Sequence, residues 1–449
     1  MFRFEVLQAD TKSRPVFKII IMRISLYTIV ILFFFTNLLI AQEQSCNPLS
    51  EKQKAELDSI MQCEVKGSFG IDFEQDFLLD MFQGVNRDRN YTQGTAFSYT
   101  KPGIDKTLLF FPLNALDWLN KISGRDKYQI NLPSTFAFGV TAFTPRVIDS
   151  VAPVVGDRPF GNFVFMSTIK HKYNIRTRAI TKTSFNYALL GTNVTNTFQS
   201  FMHRDVVPGR PVDISWHHQI SRGGHFAFLF SHEYTRPVVN LTYGNDDDKR
   251  SWFTSSLGYQ VDLGWYTGIG TKLGFKIGSM SHHSTDYSGL DNTLANVHKM
   301  MMVYENTRDS LKKRVYSKKM NAVQKEIQDK EDLVNAKQKA QNEFPENISW
   351  DWYFFGSIKP RLTPHNSLIL GQPHVESVYT LDNEDYNPFL IDVEYGFVLS
   401  RIVFKEYIPV PVSRVDILLS VNHRSPEIRN DNYRRWHHWG RISLRFPLF

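Results

Sequence analysis

Long apolar runs are nearly absent from this chain. Only one stretch, Ile24 to Ala41, approaches the roughly 20 residues that a membrane-crossing helix needs. A bundle of transmembrane helices is therefore excluded. Cysteine is also scarce. The two present, Cys46 and Cys63, rule out a disulfide-rich fold. No Cys/His spacing matches a structural zinc site. Helix-turn-helix, zinc-finger and glycine-rich phosphate-loop patterns are missing too, so the net charge of +7 does not point to nucleic acid. An anionic lipid surface fits that charge better. A Ser-His-Asp hydrolase lacks local support, because no Gly-x-Ser-x-Gly elbow occurs.

Aromatic residues, by contrast, are plentiful. Phe (35) and Tyr (19) lead a 14% aromatic content, while mean hydropathy is only −0.31. Many aromatics without overall hydrophobicity suit a wall that is apolar on one side. The apolar run follows Met22-Arg23 and precedes Gln42-Glu43-Gln44, which reads as a secretory signal; a membrane anchor is the alternative. Residues 1–41 are thus an upstream extension and signal peptide, 42–66 a periplasmic N-terminal segment, and 67–449 the main domain. In an oxidising compartment Cys46 and Cys63 either pair or remain free thiols.

Within the main domain, apolar and polar residues alternate at period two. Ile269, Thr271, Leu273, Phe275 and Ile277 fall on one face, and Lys272 and Lys276 on the other. Ile391, Val393, Tyr395, Phe397 and Leu399 oppose Asp392 and Glu394. Phe69, Ile71 and Phe73 oppose Asp72, Glu74 and Asp76, and Ile442, Leu444 and Phe446 oppose Arg441 and Arg445. Charges on the inner face, over the length a membrane strand needs, predict an all-β transmembrane antiparallel up-and-down β-barrel. Closure removes the edges that lipid cannot satisfy.

About twelve strands are expected, near 67–77, 92–101, 134–145, 160–173, 177–192, 224–236, 251–264, 266–279, 350–361, 389–402, 413–423 and 436–448. With both ends periplasmic, the odd-numbered connections emerge outside. Two periplasmic connections are long. One, about 102–133, holds an apolar patch from Leu108 to Leu119. The other contains a helical insertion at about 291–344, rich in Lys, Gln, Glu and Ala. It is either a solvated hairpin, or a docking arm for a periplasmic protein partner or a dimer contact.

Candidate chemistry gathers at the outer strand ends. Gln75-Asp76 ends the first strand and Thr92 opens the second. Gly156-Asp157-Arg158-Pro159-Phe160 forms a second cluster. Gln199 and His203, four residues apart, share one face of any helix they occupy, and Trp216-His217-His218-Gln219 follows. Carboxylate and carboxamide oxygens suit Ca2+, and a nearby imidazole can deprotonate water. A lone Gln-x-x-x-His is equally a structural pair, and barrel rims collect polar residues for solubility.

Taken together, these pieces resemble the lipid A 3′-O-deacylase family of the LpxR type, across nearly the whole mature chain. The matching segments are Phe73-Glu74-Gln75-Asp76, Asp88 to Gly94, Gly156 to Phe160, Gln199-x-x-x-His203 with Trp216-x-x-Gln219, and Asn422-x-x-Ser425-x-Glu427. The resemblance implies an outer-membrane enzyme that removes 3′-linked acyl chains of lipopolysaccharide with Ca2+. It implies His203 as general base, Gln199 and Thr92 as its catalytic companions, and Gln75 and Asp76 at the metal. Arg146, Arg89 and Arg204 are the substrate-binding candidates, because a guanidinium fork suits lipid A phosphates. Gln75 stands where the family has Asn, and the loop lysine of the family has no clear counterpart; Arg146 is the nearest cation. Two other readings stay open. One is a non-catalytic barrel that binds lipopolysaccharide and a periplasmic partner. The other is a different lipid esterase.

Overall fold

Period-two alternation becomes strand because a wall between lipid and a polar interior selects side chains by face. The computed structural model describes residues 67–76, 78, 90–122, 128–148, 150–174, 176–201, 216–244, 250–281, 351–402 and 414–447, within the compact unit Pro48–Phe449. The expected signal peptide, the 42–66 segment with its cysteines, and the 291–344 insertion lie outside these residues.

In chain order the strands are β1 (Ser68–Gln75), β2 (Asn90–Lys101), β3 (Gln129–Asn131), β4 (Ser134–Thr144), β5 (Gly161–Asn174), β6 (Ala179–Leu190), β7 (His225–Tyr243), β8 (Arg250–Gly264), β9 (Tyr266–Ser281), β10 (Asp351–Asn366), β11 (Phe389–Ile402), β12 (Arg414–Arg424) and β13 (His437–Pro447). Among the described residues three α-helices accompany them: α1 (Phe111–Ile122), α2 (Val194–Phe201) and the one-turn α3 (Ser367–Leu370). Every pairing is antiparallel. β1 bonds both β2 and the last strand, β13, and β5 bonds β6, so the sheet closes. The short β3 pairs β5 in line with β4, which leaves twelve strand positions around the ring. The fold is a closed antiparallel twelve-strand barrel. Among the described residues no helix is long and apolar enough to cross a membrane; the strands have that length.

The two faces separate as the alternation requires. Phe69, Phe97, Phe138, Leu273, Phe275, Ile277 and Phe354 are exposed on the outside. Inside, charges pair across strands. Asp72 accepts from Arg441 (3.0 Å), Arg445 (2.9 Å) and Ser443 (2.6 Å), which locks the first strand to the last. Lys272 reaches Glu233 at 2.7 Å. Lys276 is 1% exposed and lies over the Tyr353 ring at 4.6 Å. Arg361 spans Asp262 (3.0 Å) and Asp392 (2.9 Å), and Arg424 shares Asp392 (2.7 Å). A cavity of about 310 Å3 remains between Ser167, Lys182, Glu233, Gln260, Asp262 and Arg361.

The connections divide between the two ends of the cylinder. Among the described residues, one end, the mouth, carries 145–148, 150–160, 191–201, 216–224, the tight turn at Trp265, 367–388 and 425–436; the other carries 102–122 and the turn at 176–178.

Candidate functional site at the mouth

The mouth is braced by a chain of buried charges. Asp157 accepts from the backbone N–H of Arg146 (2.7 Å), its neighbour Arg158 (2.8 Å) and the Arg435 guanidinium (2.9 Å). Arg158 is fully buried. It contacts Glu427 at 3.3 Å and stacks on Phe143 at 4.3 Å. Burial pushes its pKa down to about 10, with Glu427 pulling the other way, so it remains a cation at neutral pH. Glu427 also meets Arg424 (3.4 Å), joining the mouth to the charge pairs of the lumen. Tyr379 receives the Gly156 N–H (2.8 Å) and donates to the Asp157 carbonyl (3.0 Å); burial raises its phenol pKa. Gly156 has φ 86°, and a Cβ there would sit 2.8 Å from Asn430, so glycine is needed on both counts. The Gly156–Phe160 cluster is thus largely architectural. It ties the 145–160 segment to the 367–388 and 425–436 segments.

A second set of polar groups is placed differently. In β1, Phe69, Ile71 and Phe73 face outward, and Gln75 shares their parity. Gln75 lies opposite Gln93 in β2, and its Nε2 donates to Gln93 Oε1 at 3.5 Å. Gln93 lies opposite Ala142 in β4. Ala142 packs with Phe160 and Trp216. The Trp216 indole N–H donates to Gln199 Oε1 at 3.0 Å, and α2, which carries Gln199, rests on β4. Gln75, Gln93, Ala142, Trp216 and Gln199 therefore form a continuous row on the outside of the wall, beneath α2. This outward surface is nonetheless buried: Gln75 is 7% exposed, Gln93 6% and Gln199 3%. Asp76, beside Gln75, is buried as well.

The segment that carries Trp216 is clamped locally. Gln219 accepts from Asn162 (2.6 Å) and donates to the Gly191 carbonyl (3.1 Å), while Asn162 Oδ1 receives the Thr192 N–H (3.0 Å). Phe160 meets Trp216 at 4.9 Å between ring centroids. Gln199 thus has its carbonyl engaged, and its Nε2 has no hydrogen-bond partner among the described residues.

The expected site residues fall as follows. Gln75, Asp76 and Gln199 come to the same rim, with Gln75 and Gln199 in the row. Thr92 lies in β2, where the register shifts between Tyr91 and Gln93, so it is the extra residue of a bulge. Arg146 is exposed at the mouth and directs Nη1 toward the Asn432 carbonyl at 3.5 Å. His203, Arg89 and Arg204 lie outside the described residues. Gln93 entered the sequence reading only as a member of the Asp88–Gly94 segment, with no role of its own. Among the described residues no three His, Cys, Asp or Glu side chains converge as a metal cluster.

A family model described as outer membrane protein LpxR matches residues 29–306. Among solved structures, LpxR from Salmonella typhimurium overlays 85% of this chain and 100% of its own, with 12% identity and a TM-score of 0.52. The translocator domain of the autotransporter NalP from Neisseria meningitidis overlays 88% of this chain and 93% of its own, with 6% identity and a TM-score of 0.26, too low to bear on the reading. No curated protein matches the chain.

Proposed function

Because the chain belongs to the LpxR family of outer-membrane proteins, we propose that it is a lipid A deacylase that cleaves the 3′-linked acyloxyacyl ester at the mouth of its barrel. The mouth then faces the cell exterior, and α2 stands at the level of the outer leaflet. The supporting observation is the row of buried carboxamides on the outward face. Burying polar groups on a lipid-facing wall is costly unless a polar partner enters. The sugar and ester region of lipid A, beneath its phosphates, is a partner of that kind.

The donor set fits Ca2+. Gln75 uses its amide N–H on Gln93 and would offer its carbonyl oxygen, and Asp76, the next residue in the chain, would offer its carboxylate. Both are hard oxygen donors, a part of the six to eight or so that Ca2+ takes. When bound, the ion polarises an ester carbonyl. His203 accepts a proton from water as the water oxygen bonds to the acyl carbon. The ester C–O bond then breaks, and the imidazolium returns its proton to the leaving alkoxide, giving a fatty acid and a sugar hydroxyl. The free amide N–H of Gln199 is available to the developing oxyanion. Thr92 sits on a bulge, a device that re-aims a strand residue. Arg146, Arg89 and Arg204 hold the lipid A phosphates.

The test is mass spectrometry of lipid A after incubating lipopolysaccharide with purified protein and Ca2+. Loss of the 3′ acyl mass is expected, and its abolition by chelator. His203→Ala should slow release by about a hundredfold or more. A folded His203→Ala protein with full activity would overturn the mechanism. A second reading, a non-catalytic lipopolysaccharide-binding barrel with a periplasmic protein partner, draws on one observation: the Gln199 carbonyl is already occupied by Trp216. Unchanged lipid A under all conditions would favour it.

A further inference from the structure

A polar patch lies on the outer wall where an apolar one is expected. Lys170 and Lys172 share the parity of Met166, which is exposed outward, while Ser167 and Ile169 line the lumen. On the neighbouring strands Thr181, Thr183, His232, Tyr234 and Tyr259 share the outward parity of Leu189, Phe228 and Leu263. Charge on the lipid face of a barrel strongly disfavours insertion. Here α1 covers the charges. Asp117 takes both ammoniums, Oδ2 at 2.5 Å from Lys170 and Oδ1 at 2.5 Å from Lys172. Asn114 Oδ1 accepts from Lys170 at 2.6 Å, and Asp105 stands 3.7 Å away. The Tyr187 hydroxyl donates to the Leu109 carbonyl at 2.9 Å and holds the approach to the helix. The opposite face of this segment, Leu108, Phe111, Trp118, Leu119 and Ile122, is exposed and continues the apolar wall.

Between α1 and the wall lies a cavity of about 290 Å3, lined by Asp117, Asn120, Lys172, His232, Tyr234 and Tyr259 among others. Its walls carry both signs of charge, and its rim is apolar. We propose that this cavity seats the headgroup of a zwitterionic phospholipid with a primary ammonium, its acyl chains lying against the exposed face of α1. The Lys172 ammonium has three N–H bonds and uses one on Asp117, leaving donors for a phosphate. The Asp117 carboxylate has acceptor sites beyond the two lysines for the lipid ammonium. A purely anionic headgroup meets lysines that Asp117 and Asp105 already neutralise, so it gains less. The site lies toward the end of the barrel opposite the mouth, and it rests on the membrane wall alone, not on ester hydrolysis.

Native mass spectrometry of the full-length protein tests this. Delipidated protein would be offered equal phosphatidylethanolamine, phosphatidylglycerol and phosphatidylcholine. One phosphatidylethanolamine should be retained, about tenfold over the other two. Phosphatidylcholine is the informative control, because its methylated nitrogen cannot donate to Asp117. Lys172→Met should lower retention about tenfold. Thr181→Leu, which fills the cavity without touching an ion pair, should lower it as well if Lys172→Met fails to fold. Equal retention of the three lipids, or unchanged retention in a folded variant, would overturn the proposal. Lipid A deacylation stays unaffected in either variant, which separates this site from the mouth.

Discussion

Glu427 has two guanidiniums and an imidazole within ion-pair reach and almost no solvent: Arg158 at 3.3 Å, Arg424 at 3.4 Å and His437 at 3.6 Å. Removing one partner of a buried pair leaves the other charge desolvated, which costs far more than the pair contributes net. Glu427→Gln should therefore destabilise the folded barrel by about 3–5 kcal/mol, read as a lower denaturant midpoint at constant slope. A surface-like loss below about 1 kcal/mol would mean that the mouth network is slack. Gln199 shows the limit of reading residues singly. Its spacing to His203 pointed to chemistry, yet its carbonyl is taken by Trp216, a partner 17 residues away. Only the fold reveals which end of that amide is free.

Strands give a sharper test, because adjacent residues of one element answer to different media. In β9, Leu273 is 57% exposed on the outer face, whereas Lys276, three residues on, is buried in the lumen. Leu273→Arg should cost about 2–4 kcal/mol in folding into a bilayer, measured by equilibrium unfolding from vesicles. No penalty would contradict the assignment of faces. The same alternation made most strand positions legible, since lipid outside and ion pairs inside leave period two as the only workable pattern. Two strands run further than expected, β7 to Tyr243 and β10 to Asn366. Both strands carry a proline, but Pro237 sits at a register shift, and Pro360 is paired only toward β11. Their missing N–H groups are not needed there. Helix α1 was visible only as an apolar patch. A helix against an outer wall is polar toward the protein and apolar toward lipid, the reverse of the usual pattern.

On the scale of the whole molecule, the barrel was legible because length, charge and alternation act along the chain, and the family resemblance because short motifs such as Phe73–Asp76 and Gly156–Phe160 follow one another in order. The row from Gln75 to Gln199 was not. It depends on cross-strand register over 18 and then 49 residues, Gln75 to Gln93 and Gln93 to Ala142, which periodicity leaves open. The Arg158–Glu427–Arg424–Asp392–Arg361–Asp262 chain has a consequence beyond stability. These side chains pair between nearby strands along the inner wall and at the mouth, three cations matched by three anions, and so offer passing ions no track of a single sign. Inserted into a planar bilayer under voltage, the protein should pass no stepwise current; unitary conductance events would show that the pairs part. A cell can therefore carry this barrel in its outer membrane without discharging solutes through it.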